Sequence, residues 1–341
     1  MNTKIYGTVG PACCNTEVLT QLFEQGMTGV RVNLSHVNLP EVSGWIQNIK
    51  TAHAKAGKTE LQLLIDLRGP ELRLGKLLSE RLLSEGDHLT VMSDGETNLF
   101  DPTEIPVPKP AFEVLEEGRN LLIDDGKIML KAEEKNSRAV ECVVVRGGIL
   151  KSGKSLAVPG VRFDTPTLTE SDIENICQAK RYGVTGVMLP FVRGKEDLQK
   201  LKQVLIENDA ADLCVLAKIE NMDGVENIKE LLPYCDEIVI ARGDLGNAMP
   251  LWKLPVVQAE LAGICREAKK PFMIVTQMLY SMEKAAVPTR AEVSDIFRAV
   301  SEGASSVMLT GETAVGNHPV EAMKYMTETV REAETYIRML K

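Results

Sequence analysis

Lys218 and Glu220 stand two residues apart in the stretch Ala217-Lys218-Ile219-Glu220-Asn221, directly after the apolar run Leu213–Leu216. On an extended strand that spacing sends both side chains to one face. A cation and a carboxylate leaving one strand tip together suit the joint holding of a metal ion and an anionic substrate. A barrel-lining or surface ion pair would use the same two residues. Other apolar runs end in the same way. Arg31, Asn33 and Ser35 recur at period two and are followed by His36. Asp66 leads into Arg68-Gly69-Pro70-Glu71-Leu72-Arg73, and later runs end in Ala241-Arg242-Gly243-Asp244, Thr276-Gln277 and Thr310-Gly311-Glu312-Thr313. Any one of these could be a loop cap. Their shared position after successive apolar runs points to one site.

The residue types limit the chemistry. Glu220 and Asp244 offer hard oxygen donors suited to Mg²⁺ or Mn²⁺, and no His/Cys cluster accompanies them to make a closed zinc site. Asn33, Ser35 and Asp66 form a mostly neutral oxygen set, weak for a divalent ion and reasonable for a monovalent one. Arg31, Arg73 and Lys218 supply positive charge for phosphoryl oxygens. At Gly243 a bare backbone lets amide N–H groups approach a carboxylate. No Ser-His-Asp or Cys-His arrangement is apparent. Gly148–Ser155 fits the P-loop formula G-x-x-x-x-G-K-S, but Leu156-Ala157-Val158-Pro159-Gly160 follows it where a P-loop requires a helix.

Eight strand candidates would position these residues: 5–10, 29–34, 62–67, 186–191, 214–219, 237–242, 272–277 and 306–311. Helical patterns separate them, with Thr169-Glu170-Ser171-Asp172 and Thr289-Arg290-Ala291-Glu292 reading as capping boxes. Alternation of this kind predicts an α/β chain forming a closed (β/α)₈ TIM barrel, its site at the C-terminal ends of the strands. One interval breaks the rhythm. Between the third strand and Thr169 come short strand patterns at 89–91, 120–123, 127–132 and 141–145, separated by Asp- and Gly-rich turns. This predicts a small β-barrel-like cap domain, 70–159, inserted after strand 3 of a barrel formed by 1–69 and 160–341, and working as a hinged lid.

With 48 acidic against 39 basic residues the net charge is −9, which argues against a nucleic-acid partner and leaves anionic substrates dependent on local cations or metal ions. No apolar run reaches the ~18 residues of a membrane span. The N-terminal stretch enters a strand pattern at once, without the apolar core of a secretion signal. Seven cysteines, most of them single in apolar contexts, point to a reducing, cytoplasmic setting.

These motifs resemble the pyruvate kinase family, and nearly the whole chain takes part. The resemblance is carried in order by Thr3–Ala12, Arg31-Val32-Asn33-Leu34-Ser35-His36, Asp66–Arg73, Asp124-Asp125-Gly126, Lys218-Ile219-Glu220-Asn221, Ala241–Gly246, Thr276-Gln277-Met278-Leu279, Pro288–Glu292 and Gly311-Glu312-Thr313-Ala314. It implies a glycolytic phosphotransferase converting phosphoenolpyruvate and ADP to pyruvate and ATP with Mg²⁺ (or Mn²⁺) and K⁺. By matching position, Glu220 and Asp244 would hold the divalent ion. Lys218 would stabilise the transferring phosphoryl group and the enolate, assisted by Arg31. Asn33, Ser35, Asp66 and the Leu67 carbonyl would form the potassium site, and Glu71 matches the potassium-dependent form. Thr276 would help deliver the proton and touch substrate, and the Gly243-Asp244 amides would hold the substrate carboxylate. Arg31, His36, Arg73 and Lys154 would meet the nucleotide, which gives the lysine of the P-loop formula another use.

The departures are local. Leu67 stands where the family has Thr, Pro190 where it has Ser, Thr310 for Ser, Asn247-Ala248 for an apolar–acidic pair and Val293 for Gly. The resemblance stops near Lys341, so the family's C-terminal regulatory domain is expected to be absent; a homodimer through barrel helices is a family-based expectation. Two other readings stand beside the kinase: a metal-dependent 2-oxo acid aldolase or lyase on a related barrel, and a non-catalytic homologue with a binding or regulatory role.

Overall fold

The computed structural model describes residues 3–35, 37–94, 101, 103–124, 126–161, 163 and 165–340. They divide into two compact units, one formed by Met1–Gly69, Pro166–Leu245 and Leu254–Lys341, the other by Pro70–Thr165 and Gly246–Lys253.

The first unit is a closed barrel of eight parallel strands: β1 (Lys4–Val9), β2 (Gly29–Asn33), β3 (Gln62–Asp66), β4 (Gly186–Leu189), β5 (Cys214–Ile219), β6 (Glu237–Ala241), β7 (Phe272–Val275) and β8 (Ser306–Leu309). Their order around the barrel is the chain order, β8 pairing back onto β1 through Lys4–Ser306 to Gly7–Leu309. Near-continuous apolar runs form these strands because both faces are covered. Inward-facing Tyr6, Leu64, Met188, Leu216, Val239, Met273 and Met308 fill the interior, so the barrel is a packed core and not a pore.

Helices return the chain between strands, and the two sequence-read capping boxes are present. Thr169 and Asp172 close the start of the helix Glu170–Tyr182, and Thr289 and Glu292 that of Arg290–Ser301. Three strands, β4, β7 and β8, stop two residues earlier than their apolar pattern suggests. The chain leaves extended geometry at Phe191 (φ 53°), Thr276 (φ 79°) and Gln277 (φ 54°), and at Gly311 it turns into a short helix, Gly311–Ala314.

Among its described residues the second unit is mostly β, with the helix Lys109–Val114 and, in Gly246–Lys253, the end of a short helix and the helical turn Leu251–Lys253. Its six-stranded sheet runs in the order Leu156–Ala157, Asn120–Ile123, Ile128–Lys135, Ala139–Arg146, His88–Ser93, Glu104–Val107, and a two-stranded ribbon pairs Arg81–Leu83 with Gly148–Leu150. Leu89, Val91, Ile105, Leu121, Leu130 and Val144 lie in its own buried core. Four of these strands were not foreseen: 81–83, 104–107, 148–150 and 156–157. Each is short, and Glu104–Val107 carries Pro106, tolerated because this is an edge strand. The P-loop formula Gly148–Ser155 covers the strand Gly148–Leu150 and a turn, and the strand Leu156–Ala157, not a helix, follows it.

Candidate active site

Strand register decides what meets at the carboxyl rim of the barrel. Asn33 and Asp66 are Cα partners at the ends of β2 and β3, so their side chains leave the rim together. Arg31, two residues back on β2, reaches the same carboxylate. Its Nε and Nη2 donate to Asp66 Oδ2 at 2.9 and 2.6 Å, and Nη1 donates to Thr8 Oγ1 on β1 at 3.1 Å. Lys218 enters from β5. Its Nζ lies 3.1 Å from Asp66 Oδ2 and 2.9 Å from Glu220 Oε1. The side chains of Arg31, Lys218, Asp66 and Glu220 are only 12%, 13%, 2% and 3% exposed, so these charges interact in a medium that screens them poorly.

That burial sets the protonation states. Burial, and to a lesser degree the nearby Arg31 cation, oppose charge on Lys218, yet the Asp66 and Glu220 carboxylates outweigh both and hold its pKa above the ordinary lysine value. Burial likewise works against the Asp66 carboxylate, and Lys218 and Arg31 pull its pKa below the usual range. The arrangement therefore favours the lysine as a cation at neutral pH.

One atom is left over. Asp66 Oδ1 is fully buried and has no hydrogen-bond partner among the described residues. An orphaned carboxylate oxygen carries a desolvation penalty unless something cationic meets it. With Asn33 Oδ1, which accepts from the Ser35 amide at 3.2 Å, and with Ser35 and the Leu67 carbonyl close along the chain, the donors are all oxygen. That set fits a monovalent cation.

Glu220 is held from its other side, Oε2 accepting from the Phe191 amide at 2.9 Å. Asp244 lies in the first turn of the short helix Arg242–Asn247, which starts where β6 ends, beside the β5 tip that carries Glu220. Among the described residues no group of three or more His, Cys, Asp or Glu side chains could hold a metal, so a divalent ion on Glu220 and Asp244 would complete its shell with other oxygens.

Thr276 follows β7 with φ 79°, an unfavourable conformation for a β-branched residue. Its carbonyl accepts from Arg242 Nε at 3.2 Å and Nη2 at 2.8 Å, while Arg242 Nη1 pairs with Asp295 Oδ2 at 2.6 Å. Gly243 packs on the same threonine; a β-carbon there would lie 3.0 Å from Thr276 Cγ2.

Arg73 and Lys154 belong to the second unit. Arg73 donates to Glu71 Oε2 at 2.9 and 2.6 Å and to the Gly153 carbonyl at 2.8 Å, and Lys154 pairs with Asp124 at 2.8 Å. The bridge between Arg73 and Ser155 keeps them together within that unit. His36 lies outside the described residues.

A family model described as "Pyruvate kinase, barrel domain" matches residues 1–323. The chain belongs to the pyruvate kinase family. Curated pyruvate kinases from Geobacillus stearothermophilus and Bacillus licheniformis are 39% and 38% identical to it, each over 97% of this chain and 57% of the relative. The pyruvate kinase of Thermococcus litoralis is 38% identical over 98% of this chain and 70% of its own length. The chain thus spans well under two thirds of the first two relatives. For this pyruvate kinase-family chain, sequence reading missed three rim partners: Thr8, which supports Arg31; Asp295, which supports Arg242; and the Phe191 amide on Glu220. A threonine in a strand and an aspartate in a helix carry no local signal. The bond from Phe191 needs a backbone turn that only the φ of that residue reveals.

Proposed function

We propose that the chain transfers the phosphoryl group of phosphoenolpyruvate to ADP, giving pyruvate and ATP. The observation that carries this reading is the Lys218 ammonium position, held between the Asp66 and Glu220 carboxylates at the carboxyl rim. Phosphoryl transfer needs aligned positive charge more than a nucleophile, and this rim supplies fixed cations without a free base.

The ADP β-phosphate oxygen forms a bond to phosphorus as the bond from phosphorus to the enol oxygen breaks. The electron pair stays on the enol oxygen, and the enolate then takes a proton at its terminal carbon. Lys218 faces the phosphoryl oxygens and then the enolate oxygen; Arg31 shares the phosphoryl charge and reaches toward the nucleotide. The Gly243 and Asp244 amides bind the substrate carboxylate. Thr276 touches substrate and helps pass the proton. Arg73 and Lys154 meet nucleotide phosphates after exchanging their present carboxylate partners; His36 is assigned to the nucleotide by resemblance alone. Glu220 and Asp244 would hold Mg²⁺ or Mn²⁺, and Asn33, Ser35, Asp66 and the Leu67 carbonyl K⁺. Bound there, the ions supply charge neutralisation and template the phosphoryl group. A cytoplasmic setting is supported by seven unpaired cysteines.

An aldolase or lyase reading finds less support, because such chemistry has no use for the nucleotide-phosphate cations Arg73 and Lys154 that the second unit carries. A non-catalytic homologue would not need an orphaned carboxylate oxygen at the rim. Coupled detection of pyruvate with Mg²⁺, in KCl and in tetramethylammonium chloride, tests the proposal. Pyruvate formation stimulated by K⁺ is expected; no pyruvate in either salt overturns it.

A further inference from the structure

The ladder hydrogen bonds of β3 stop at a definite peptide. The Asp66–Leu67 unit is committed on both sides, its carbonyl accepting from Leu34 N at 2.9 Å and its N–H donating to the Met188 carbonyl at 3.1 Å. The next unit, Leu67–Arg68, lies beyond the ladder. Its N–H, on Arg68, donates to Asp172 Oδ1 at 2.8 Å, and the following Gly69 N–H donates to Asp172 Oδ2 at 3.1 Å.

Asp172 sits more than a hundred residues away, at the third position of the helix Glu170–Tyr182, and is fully buried. Its cap duties are complete without the barrel. Oδ2 already accepts from Thr169 N at 2.8 Å and Thr169 Oγ1 at 2.7 Å. The two amides of Arg68 and Gly69 are bonds that a helix start does not require. Gly69 is pinned a second time: it holds φ 60°, and a β-carbon there would collide with the Pro190 ring. Pro190, a departure from the family pattern, is thereby part of the packing under this turn.

A trans peptide is planar, so fixing the direction of its N–H fixes its C=O to the opposite side. No cis bond occurs among the described residues. Donation to a carboxylate also polarises the amide and makes the carbonyl oxygen a stronger donor to a cation. We propose that Asp172 is a positioning residue for the monovalent-cation site, aiming and polarising the Leu67 carbonyl from behind. This rests on the potassium reading above. It also explains how Leu67 can serve without a side-chain donor: orientation comes from the N–H side of the peptide.

Asp172→Glu tests it, because Glu is the usual partner in a capping box and keeps the helix start while one added methylene displaces the carboxylate from Arg68 and Gly69. The readout is the melting temperature in KCl against tetramethylammonium chloride of equal ionic strength, with no substrate present, as a function of salt concentration. The wild type is expected to be stabilised by KCl. In Asp172→Glu the melting point in tetramethylammonium should stay near that of the wild type, while half-saturating K⁺ rises about 10-fold or more, the usual effect of losing an outer partner of a metal ligand. Asp172→Asn, isosteric but with a donor facing the amides, should move K⁺ the same way and lower stability in both salts. A wild-type K⁺ response kept in both variants overturns the inference alone. A wild type indifferent to KCl overturns the potassium reading, and this inference with it.

Discussion

The guanidinium of Arg242 donates to the carbonyl oxygen of Thr276 from two nitrogens, at 3.2 and 2.8 Å, and is itself anchored by Asp295. The clamp holds a β-branched residue at φ 79°, where it would not rest unaided. Because Arg242, anchored by Asp295, fixes that backbone carbonyl, the backbone that carries the Thr276 side chain is set relative to the rim. Arg242→Lys keeps the charge and loses the fork. It is expected to lower kcat by about 10–100-fold while the KM for phosphoenolpyruvate moves less than about 3-fold. Exchange of the methyl hydrogens of pyruvate with deuterated water, followed by NMR, should fall in parallel. Unchanged exchange would detach Thr276 from proton transfer.

Asp66 ties two buried cations. In Asp66→Asn, Lys218 and Arg31 share a neutral amide, and the expected destabilisation at pH 7 is about 3–5 kcal/mol, the usual result of removing one partner of a buried pair. The sign with pH follows from the lowered pKa of Asp66. Its stabilisation is fully present above the unfolded carboxylate value near ~4 and is lost as pH falls through the folded value below that. Denaturant titrations of the two proteins should therefore converge in acid and diverge toward neutrality.

Glu237 behaves in the opposite way. It stands at the start of β6 and accepts from Ser305 Oγ at 2.8 Å and Ser306 Oγ at 2.5 Å. Burial raises its pKa, and the two serine bonds and the charge of Lys4 only partly offset that. A raised carboxyl pKa lowers stability as pH rises from the unfolded value, about 4.3, through the folded one. Glu237→Gln retains an acceptor for the serines and is expected to raise the melting temperature at pH 8 but not at pH 4. A loss of stability at both values would mean that the charge is favourable where it lies.

Asn33 offers a test of the cation set that spares the Lys218 network. Asn33→Ala removes one oxygen donor beside Asp66, and half-saturating K⁺ for pyruvate formation should rise at least about 10-fold, with a smaller change for Mg²⁺. Equal shifts for both ions would indicate a general loosening of the rim.

Much of this arrangement is legible in the chain. Eight apolar runs bounded by turn residues fix the eight strands, and the period-two placement of Lys218 and Glu220, or of Arg31 and Asn33, shows which side chains share a face. What periodicity cannot show is the sign of φ. The runs ending at Phe191 and Thr276 look like longer strands, yet the chain turns left-handed there and aims an amide at Glu220 and a carbonyl at Arg242. Nor does spacing reveal partners such as Asp172 with Arg68, or Asp295 with Arg242, separated by 104 and 53 residues. In the second unit the short edge strands escape because a run of two to four residues, one of them containing Pro106, carries too little pattern to stand out.

The central claim is that Lys218 acts as a fixed cation on the transferring group. Pyruvate formation by the wild type and by Lys218→Met, with phosphoenolpyruvate binding measured by calorimetry in Mg²⁺ and K⁺, tests it most directly. The expected result is turnover in the wild type, a loss of at least about 10³-fold in the variant, and substrate affinity within a few-fold. Turnover in Lys218→Met at the wild-type rate would contradict the account.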